Sequence, residues 1–270
     1  MLNLIVELVG YNRKFYSMKY LLFLGCNGNL GRALCDFYAK SGGFFVIGID
    51  LQDQYQGKEK LNKYVTLNFL TEGFSSEILK IINLRGCNIS IVNLIAKDYP
   101  VIEGDVQKNM TSSPFDLPLD DVCNSYKITL GSSYKLIQEI AKLDLIDNLH
   151  IILVGSIYSK KLPVHEIYST ENTLFKPLAY SLSKSAQNML LQEAVRVFSS
   201  EKIRINMISF GGVFSNQSEK FVKKYSEKVP INRMVNLLEM IDAFSWVIEK
   251  SPQSFNGSDL LIDGGWSCAN

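Results

Sequence analysis

The sequence predicts a single α/β domain built on a doubly wound parallel sheet, on three observations. From about residue 19 to the C-terminus, apolar runs of strand length alternate with helical segments. The runs are apolar on both faces, as strands covered on both sides of a parallel sheet must be. A glycine-rich stretch, Gly25-Cys-Asn-Gly28-Asn-Leu-Gly31, falls between the first strand and the first helix. The repeated alternation implies right-handed crossovers, and such sheets take their ligands at the C-terminal ends of the strands.

The elements follow in order. Residues 20–24 form an unbroken apolar run and read as strand one. A helix over 30–40 follows the glycine turn, and residues 44–49 read as strand two. Short apolar runs give strands three and four at 64–67 and 89–92, and a long helix fits 120–142. Strand five spans 149–154, a helix 178–199, strand six 203–208, a helix 237–249, and a last short strand 260–262. No composition break divides the chain, and there is no internal repeat or low-complexity tract. Two long loops, 97–119 and 158–177, follow strand C-termini. They are expected to build a substrate pocket, plain surface excursions being the other reading.

Bulk composition narrows the function. The chain has 270 residues, 47% apolar and 20% charged, with a net charge of +1. That supports an ample core and offers no basic excess for a nucleic acid. Five scattered cysteines and two histidines provide neither a C-x-x-C pair nor a zinc ligand set, so no metal is expected. The unclustered cysteines suit a reducing cytoplasm. No segment has the length and apolarity to span a bilayer, so no membrane association is expected. Residues 1–18 read as an N-terminal extension of a domain covering 19–270. An upstream start codon before Met18, or an extra strand or oligomer contact, would explain the extension.

The glycine turn suits a dinucleotide. Glycines permit the tight turn and a close backbone approach, and the helix N-terminus turns its free N–H groups on a pyrophosphate. Gly25, Gly28, Asn29, Leu30 and Gly31 are therefore expected to line it. Asp50 ends strand two, where a carboxylate accepts both ribose hydroxyls of NAD and repels the 2′-phosphate of NADP. The plainer reading of Asp50 is a solvated loop acid. NAD is the expected cofactor, although Lys58 and Lys60 lie a little further on.

Tyr180 and Lys184 lie one helical turn apart, on one face. A nearby ammonium favours the phenolate, so the pair predicts a Tyr180 pKa lowered towards neutrality. Such a phenol can exchange protons during alcohol–carbonyl interconversion. Ser156 closes the strand-five run upstream.

With the glycine turn, Ser156, Tyr180-x-x-x-Lys184 and the ending Leu261-Ile-Asp-Gly-Gly-Trp266, the chain resembles the short-chain dehydrogenase/reductases, which have a Rossmann fold. The resemblance implies an NAD(P)-dependent enzyme. In it Tyr180 is the acid/base, Lys184 lowers its pKa and holds the nicotinamide ribose, and Ser156 polarises the substrate carbonyl. It places Thr129 where the family has a proton-relaying Asn, and Asn68 where an Asp meets the adenine, with Phe69 beside it. Only Asn93 survives of the family's Asn-Asn-Ala-Gly, and Gly211 and Val213 replace its Pro-Gly region. The glycine spacing is that of the family's extended branch, which the short chain after Lys184 argues against.

Within that family, Gly155-Ser-Ile-Tyr158, Glu166-Ile-Tyr168 and Pro177-x-x-Tyr180 resemble dehydrogenases of flagellin modification and nonulosonate synthesis. Their substrates imply a sugar or sugar nucleotide here, with His165, Glu166 and Tyr168 as hydroxyl contacts. The alternative is that Tyr168 packs and Glu166 is solvated. The resemblance also implies a homodimer or homotetramer. Two rivals stand beside a dehydrogenase: an NAD-binding scaffold without turnover, and an epimerase or dehydratase with tightly held NAD.

Overall fold

The computed structural model describes residues 19–71, 88–99, 110–140, 148–168, 174–198 and 202–270, with Phe74, Glu77, Lys80 and Ser200 besides. The N-terminal extension and Cys87 lie outside these residues. The chain forms β1 (Lys19–Leu24), α1 (Asn29–Ser41), β2 (Phe45–Asp50), β3 (Lys63–Thr66), β4 (Asn88–Asn93) and α2 (Leu119–Ile140). It continues through β5 (Asn148–Ser156), α3 (Leu178–Phe198), β6 (Ile203–Phe210), α4 (Glu219–Ser226), α5 (Leu237–Ser245), β7 (Asp259–Ile262) and α6 (Trp266–Ala269).

Among the described residues, seven strands run parallel in the order β3-β2-β1-β4-β5-β6-β7. The order reverses between β1 and β4, which makes their C-terminal ends the switch point. Leu24 at the end of β1 pairs with Ile49 on one side and Asn93 on the other. The glycine turn therefore springs from the centre of the sheet.

The period of two sorts the apolar runs onto two cores. Leu22, Leu24, Ile91 and Ile151 pack with Leu136 of α2 and Leu191 of α3 on one face. Leu21, Phe23, Val92 and Ile152 pack with Leu34 of α1 and Phe244 of α5 on the other. A third cluster caps the C-terminal edge: Tyr99, Tyr158, Tyr168, Phe221, Tyr225 and Trp266 are among its buried members.

Three differences from the sequence expectation bear on the site. β5 and β6 run two residues further, to Ser156 and Phe210, because these two residues pair in register. The last long helix is α-helical only to Ser245, and a π-helical turn over Trp246–Lys250 completes it. α4 was not expected, its sequence being mostly polar. Its signal is the buried pair Phe221 and Tyr225, one turn apart, behind the N-cap Ser218, whose side chain accepts the Phe221 N–H.

Candidate active site

The glycine turn has the shape that a pyrophosphate requires. Gly25 has φ 81°, and a Cβ there would sit 3.2 Å from the Ile95 nitrogen, so the turn lies close against the loop after β4. A Cβ on Gly31 would stand 2.4 Å from the Gly25 carbonyl oxygen. Only glycine lets α1 press on its own turn this tightly. Gly28 caps α1 with no side-chain hydrogen bond, and the first turn holds no acid. The first amides of the helix have no intrahelical acceptor and keep their donor capacity for an anion. Gly25, Gly28, Asn29, Leu30 and Gly31 all line one cavity of about 420 Å³. These residues fit a dinucleotide.

Asp50 stands beside the turn rather than in the cavity lining. Its Oδ2 accepts the Asn27 N–H at 2.8 Å and its Oδ1 accepts the Leu51 N–H at 2.7 Å. The carboxylate thus braces the turn, and each oxygen keeps a second lone pair for a ribose hydroxyl. Asn27 extends the brace: its amide donates to the Gln54 carbonyl and its oxygen accepts the Gln56 N–H.

The same cavity is lined by Ser156 at the end of β5 and by Tyr180 and Lys184 on α3. The structure brings the three expected chemical groups together. The expected lowering of the Tyr180 pKa does not appear, and this corrects the reading from helical spacing. Burial raises the phenol well above its ordinary value, the Asp98 charge pushes the same way, and only a hydrogen bond with Ser156 opposes them. Lys184 gives little relief because its ammonium is turned elsewhere. It donates to the Val154 carbonyl at 2.6 Å and to Gln187 Oε1 at 3.2 Å, and lies 6.0 Å from the Tyr180 ring centroid. Burial lowers Lys184 to about 8, with Asp98 opposing. An ammonium has three donors, so one remains for a ligand.

Besides Asp50, the expected site residues Thr129, Asn93, Asn68 and Phe69 lie outside the cavity lining. Thr129 is fully buried in α2, where its hydroxyl accepts the Lys97 N–H at 3.0 Å and fixes the loop after β4. Among the described residues no direct hydrogen bond joins it to Lys184. Gln187 bonds Lys184 directly, its Nε2 donates to Ser133 Oγ at 2.7 Å, and Ser133 Oγ accepts from Asn93 Nδ2 at 2.9 Å. A buried polar chain thus runs from Lys184 to Asn93. Asn93 acts within that chain, clamping β4 to α2. Asn68 turns its amide oxygen onto the Leu70 N–H, and the Phe69 side chain is buried in the core against Phe74.

Gly211 and Val213 line the cavity as expected. Gly211 is held by its N–H on the Ile262 carbonyl, and the Gly212 N–H donates to the Tyr225 hydroxyl. Tyr225 in turn stacks on buried Trp266 at 4.6 Å between ring centroids. The C-terminal Asp-Gly-Gly-Trp motif therefore supports the cavity floor: Asp263 accepts the Gly265 and Ser267 N–H groups and seats Trp266.

Both long loops contribute walls. Asp98 comes from the first and Tyr158, Tyr168 and Lys176 from the second. Tyr168 is buried, with its hydroxyl 2.8 Å from that of Tyr158. His165 and Glu166 are not among the lining residues: the His165 ring packs at 4.5 Å on Phe175, and Glu166 is exposed. Asp98 and Lys176 were missed, since a single acid and a single lysine in separate loops carry no spacing signal.

No protein-family model matches the chain. It is similar to the post-translational flagellin modification protein A of Campylobacter coli, 23% identical over 260 residues that cover 92% of this chain and 98% of the relative. Among solved structures it resembles a short chain dehydrogenase family protein from Francisella tularensis, with a TM-score of 0.73, 18% identity, and coverage of 93% of this chain and 100% of that one. It also resembles a short chain dehydrogenase from Leptospira borgpetersenii with bound NAD⁺, with a TM-score of 0.72, 23% identity, and coverage of 93% of each chain.

Proposed function

We propose, from the premise that this chain belongs to the short-chain dehydrogenase/reductases, that it interconverts a secondary alcohol and a ketone on a sugar or sugar nucleotide, using NAD. The observation that carries the reading is the convergence of Ser156, Tyr180, Lys184 and the uncapped helix α1 on one cavity. The sugar is supported by the flagellin modification relative, and NAD by Asp50 beside the turn and by the NAD⁺-bound Leptospira protein.

The glycine turn and Lys184 would hold a nicotinamide cofactor, which would supply the hydride acceptor or donor. The protein handles the proton. In oxidation the carbinol oxygen gives its proton to Tyr180 as the carbon–hydrogen bond breaks. In reduction the Tyr180 hydroxyl returns it. Ser156 Oγ accepts the Tyr158 N–H at 3.2 Å, and its single hydrogen, directed at Tyr180 in this structure, would turn to the same substrate oxygen. The remaining Lys184 donor would hold a cofactor ribose hydroxyl.

The domain is taken as residues 19–270, with 1–18 outside it. A homodimer or homotetramer through α2 and α3 is part of the proposal, because Leu119, Tyr134, Leu182, Met189 and Val197 leave apolar surface on these helices exposed. The compartment proposed is the cytoplasm, in keeping with free Cys26, Cys35, Cys123 and Cys268. Among the described residues no helix is long and apolar enough to cross a membrane.

Calorimetric titration of NAD⁺, NADH, NADP⁺ and NADPH into the purified protein tests the cofactor. Preference for the NAD pair supports Asp50 as the selector, equal binding removes that role, and no binding overturns the dehydrogenase. A non-catalytic NAD-binding protein is the second reading, favoured by the Lys184 ammonium being bound to the Val154 carbonyl and Gln187 rather than to the Tyr180 hydroxyl. Tyr180→Phe separates the two: loss of the cellular function requires the enzyme, and its survival requires the scaffold.

A further inference from the structure

The cavity wall facing Tyr180 carries an ion pair with no part in the proton transfer described above. Lys176 is buried, and its ammonium lies 2.8 Å from Asp98 Oδ1, 3.2 Å from the Tyr99 carbonyl and 4.5 Å from the Tyr180 ring centroid. Two of its three donors are taken by hydrogen bonds, its charge is met by Asp98, and it lies over the Tyr180 ring. Asp98 is different. Its Oδ1 accepts from both Lys176 and the Tyr99 N–H, while its Oδ2 has no partner among the described residues. Its side chain is 50% exposed and lines the cavity. It shares the cavity lining with Tyr158, Tyr168, Tyr180 and Lys184, and its partner Lys176 lies over the Tyr180 ring.

We propose that Asp98, anchored by Lys176, is the specificity-determining residue of this site: its Oδ2, unpartnered among the described residues, accepts a hydrogen bond from a substrate hydroxyl near the reacting carbinol, so the substrate is a polyol. A fixed carboxylate oxygen with a spare acceptor rewards an O–H and repels a carboxylate. A substrate with only methylenes at that position would leave the oxygen unpaired on desolvation. Lys176 is a positioning residue, holding the carboxylate on the wall and the Tyr180 ring against it. The assignment rests on the dehydrogenase reading, since it takes Tyr180 as the point of reaction.

The test uses the full chain and two probe pairs. Oxidation of butane-2,3-diol is compared with that of butan-2-ol under saturating NAD⁺. Binding of erythritol to the NADH-loaded protein is followed by NADH fluorescence. Wild type is compared with Asp98→Asn, and with Asp98→Asn/Lys176→Met, in which no buried cation is left unpaired. The diol-to-alcohol ratio of kcat/KM is expected to fall by about tenfold or more in both variants, with a parallel loss of erythritol affinity. A merely structural role would lower both substrates together and leave the ratio unchanged, which would overturn the proposal. Wild type that binds erythritol through Asp98 but oxidises neither probe would sink the dehydrogenase reading and keep the polyol site. Absence of both oxidation and erythritol binding would overturn the polyol assignment itself.

Discussion

The Lys176 ammonium stands 4.5 Å from the centroid of the Tyr180 ring, closer than the Lys184 ammonium at 6.0 Å. The phenol therefore sits between a lysine of its own helix and one that just precedes that helix, with Asp98 beyond Lys176. Lys176→Met leaves the Asp98 anion uncompensated beside the phenol, which raises Tyr180 further. Asp98→Asn removes an anion that raises Tyr180 and so lowers it. Alcohol oxidation needs the deprotonated phenol, so the acidic limb of its pH–rate profile should move to higher pH in Lys176→Met and to lower pH in Asp98→Asn. Profiles of kcat/KM that shift the same way in both variants would refute this ordering of charges.

The tight seat of α1 gives a second prediction. An alanine Cβ at position 31 would stand 2.4 Å from the Gly25 carbonyl and 2.8 Å from the Cys26 backbone. These are main-chain atoms and cannot swing aside. Gly31→Ala should cost about 1–3 kcal/mol in urea unfolding and weaken NADH by about tenfold, because the turn must open. Gly42→Ala serves as the control for φ alone, since Gly42 has φ 71° but no neighbour within 4 Å. It should lose stability and keep NADH affinity.

Much of this architecture was legible in the sequence because its signals are local. The strands are unbroken apolar runs, the glycine turn is contiguous, and Tyr180 and Lys184 are set by one helical turn. Ser156 was legible because it closes such a run. The Asp98–Lys176 pair was not, since it joins two loops 78 residues apart. The Lys184 orientation was not either. Spacing puts the ammonium on the face of Tyr180, but the Val154 carbonyl, which takes it at 2.6 Å, comes from strand β5. For the same reason Thr129 could be placed on its helix but not given its partner: the Lys97 N–H comes from the loop after β4.

Burial of Lys184 also predicts an alkaline gain in stability. Its pKa is about 8 in the folded protein against an ordinary 10.5. Between these values the unfolded chain holds a proton that the folded chain has lost, so stability from this group rises with pH across the window. The full gain is about 3 kcal/mol. The difference in unfolding free energy between wild type and Lys184→Met should therefore grow in favour of wild type from pH 8 upwards. The paired comparison removes the contribution of tyrosines and thiols that titrate in the same range. Parallel curves for the two proteins would contradict a depressed lysine.

At the opposite edge of the sheet, His150 predicts acid sensitivity. It is buried at the start of β5, with Nδ1 at 3.3 Å from Arg204 Nη2 and Nε2 at 2.9 Å from Asn206 Nδ2. Both neighbours present donors, so a charged imidazole has no acceptor here. Burial, and then the Arg204 charge, lower its pKa to about 3 from an ordinary 6.5. Lys19, Arg204 and Glu249 share the adjoining cavity with it, and of these only Glu249 carries the opposite charge. The folded chain keeps the ring neutral while the unfolded chain protonates it below pH 6.5. Stability from this group is therefore complete above pH 6.5 and declines as pH falls towards 3, by about 5 kcal/mol in all. His150→Gln keeps an acceptor for Arg204 and cannot protonate. It should be less stable than wild type at pH 7 and lose less on acidification, so that the two urea-unfolding series converge between pH 6.5 and pH 4. A constant offset across that range would show that His150 titrates normally in the folded state.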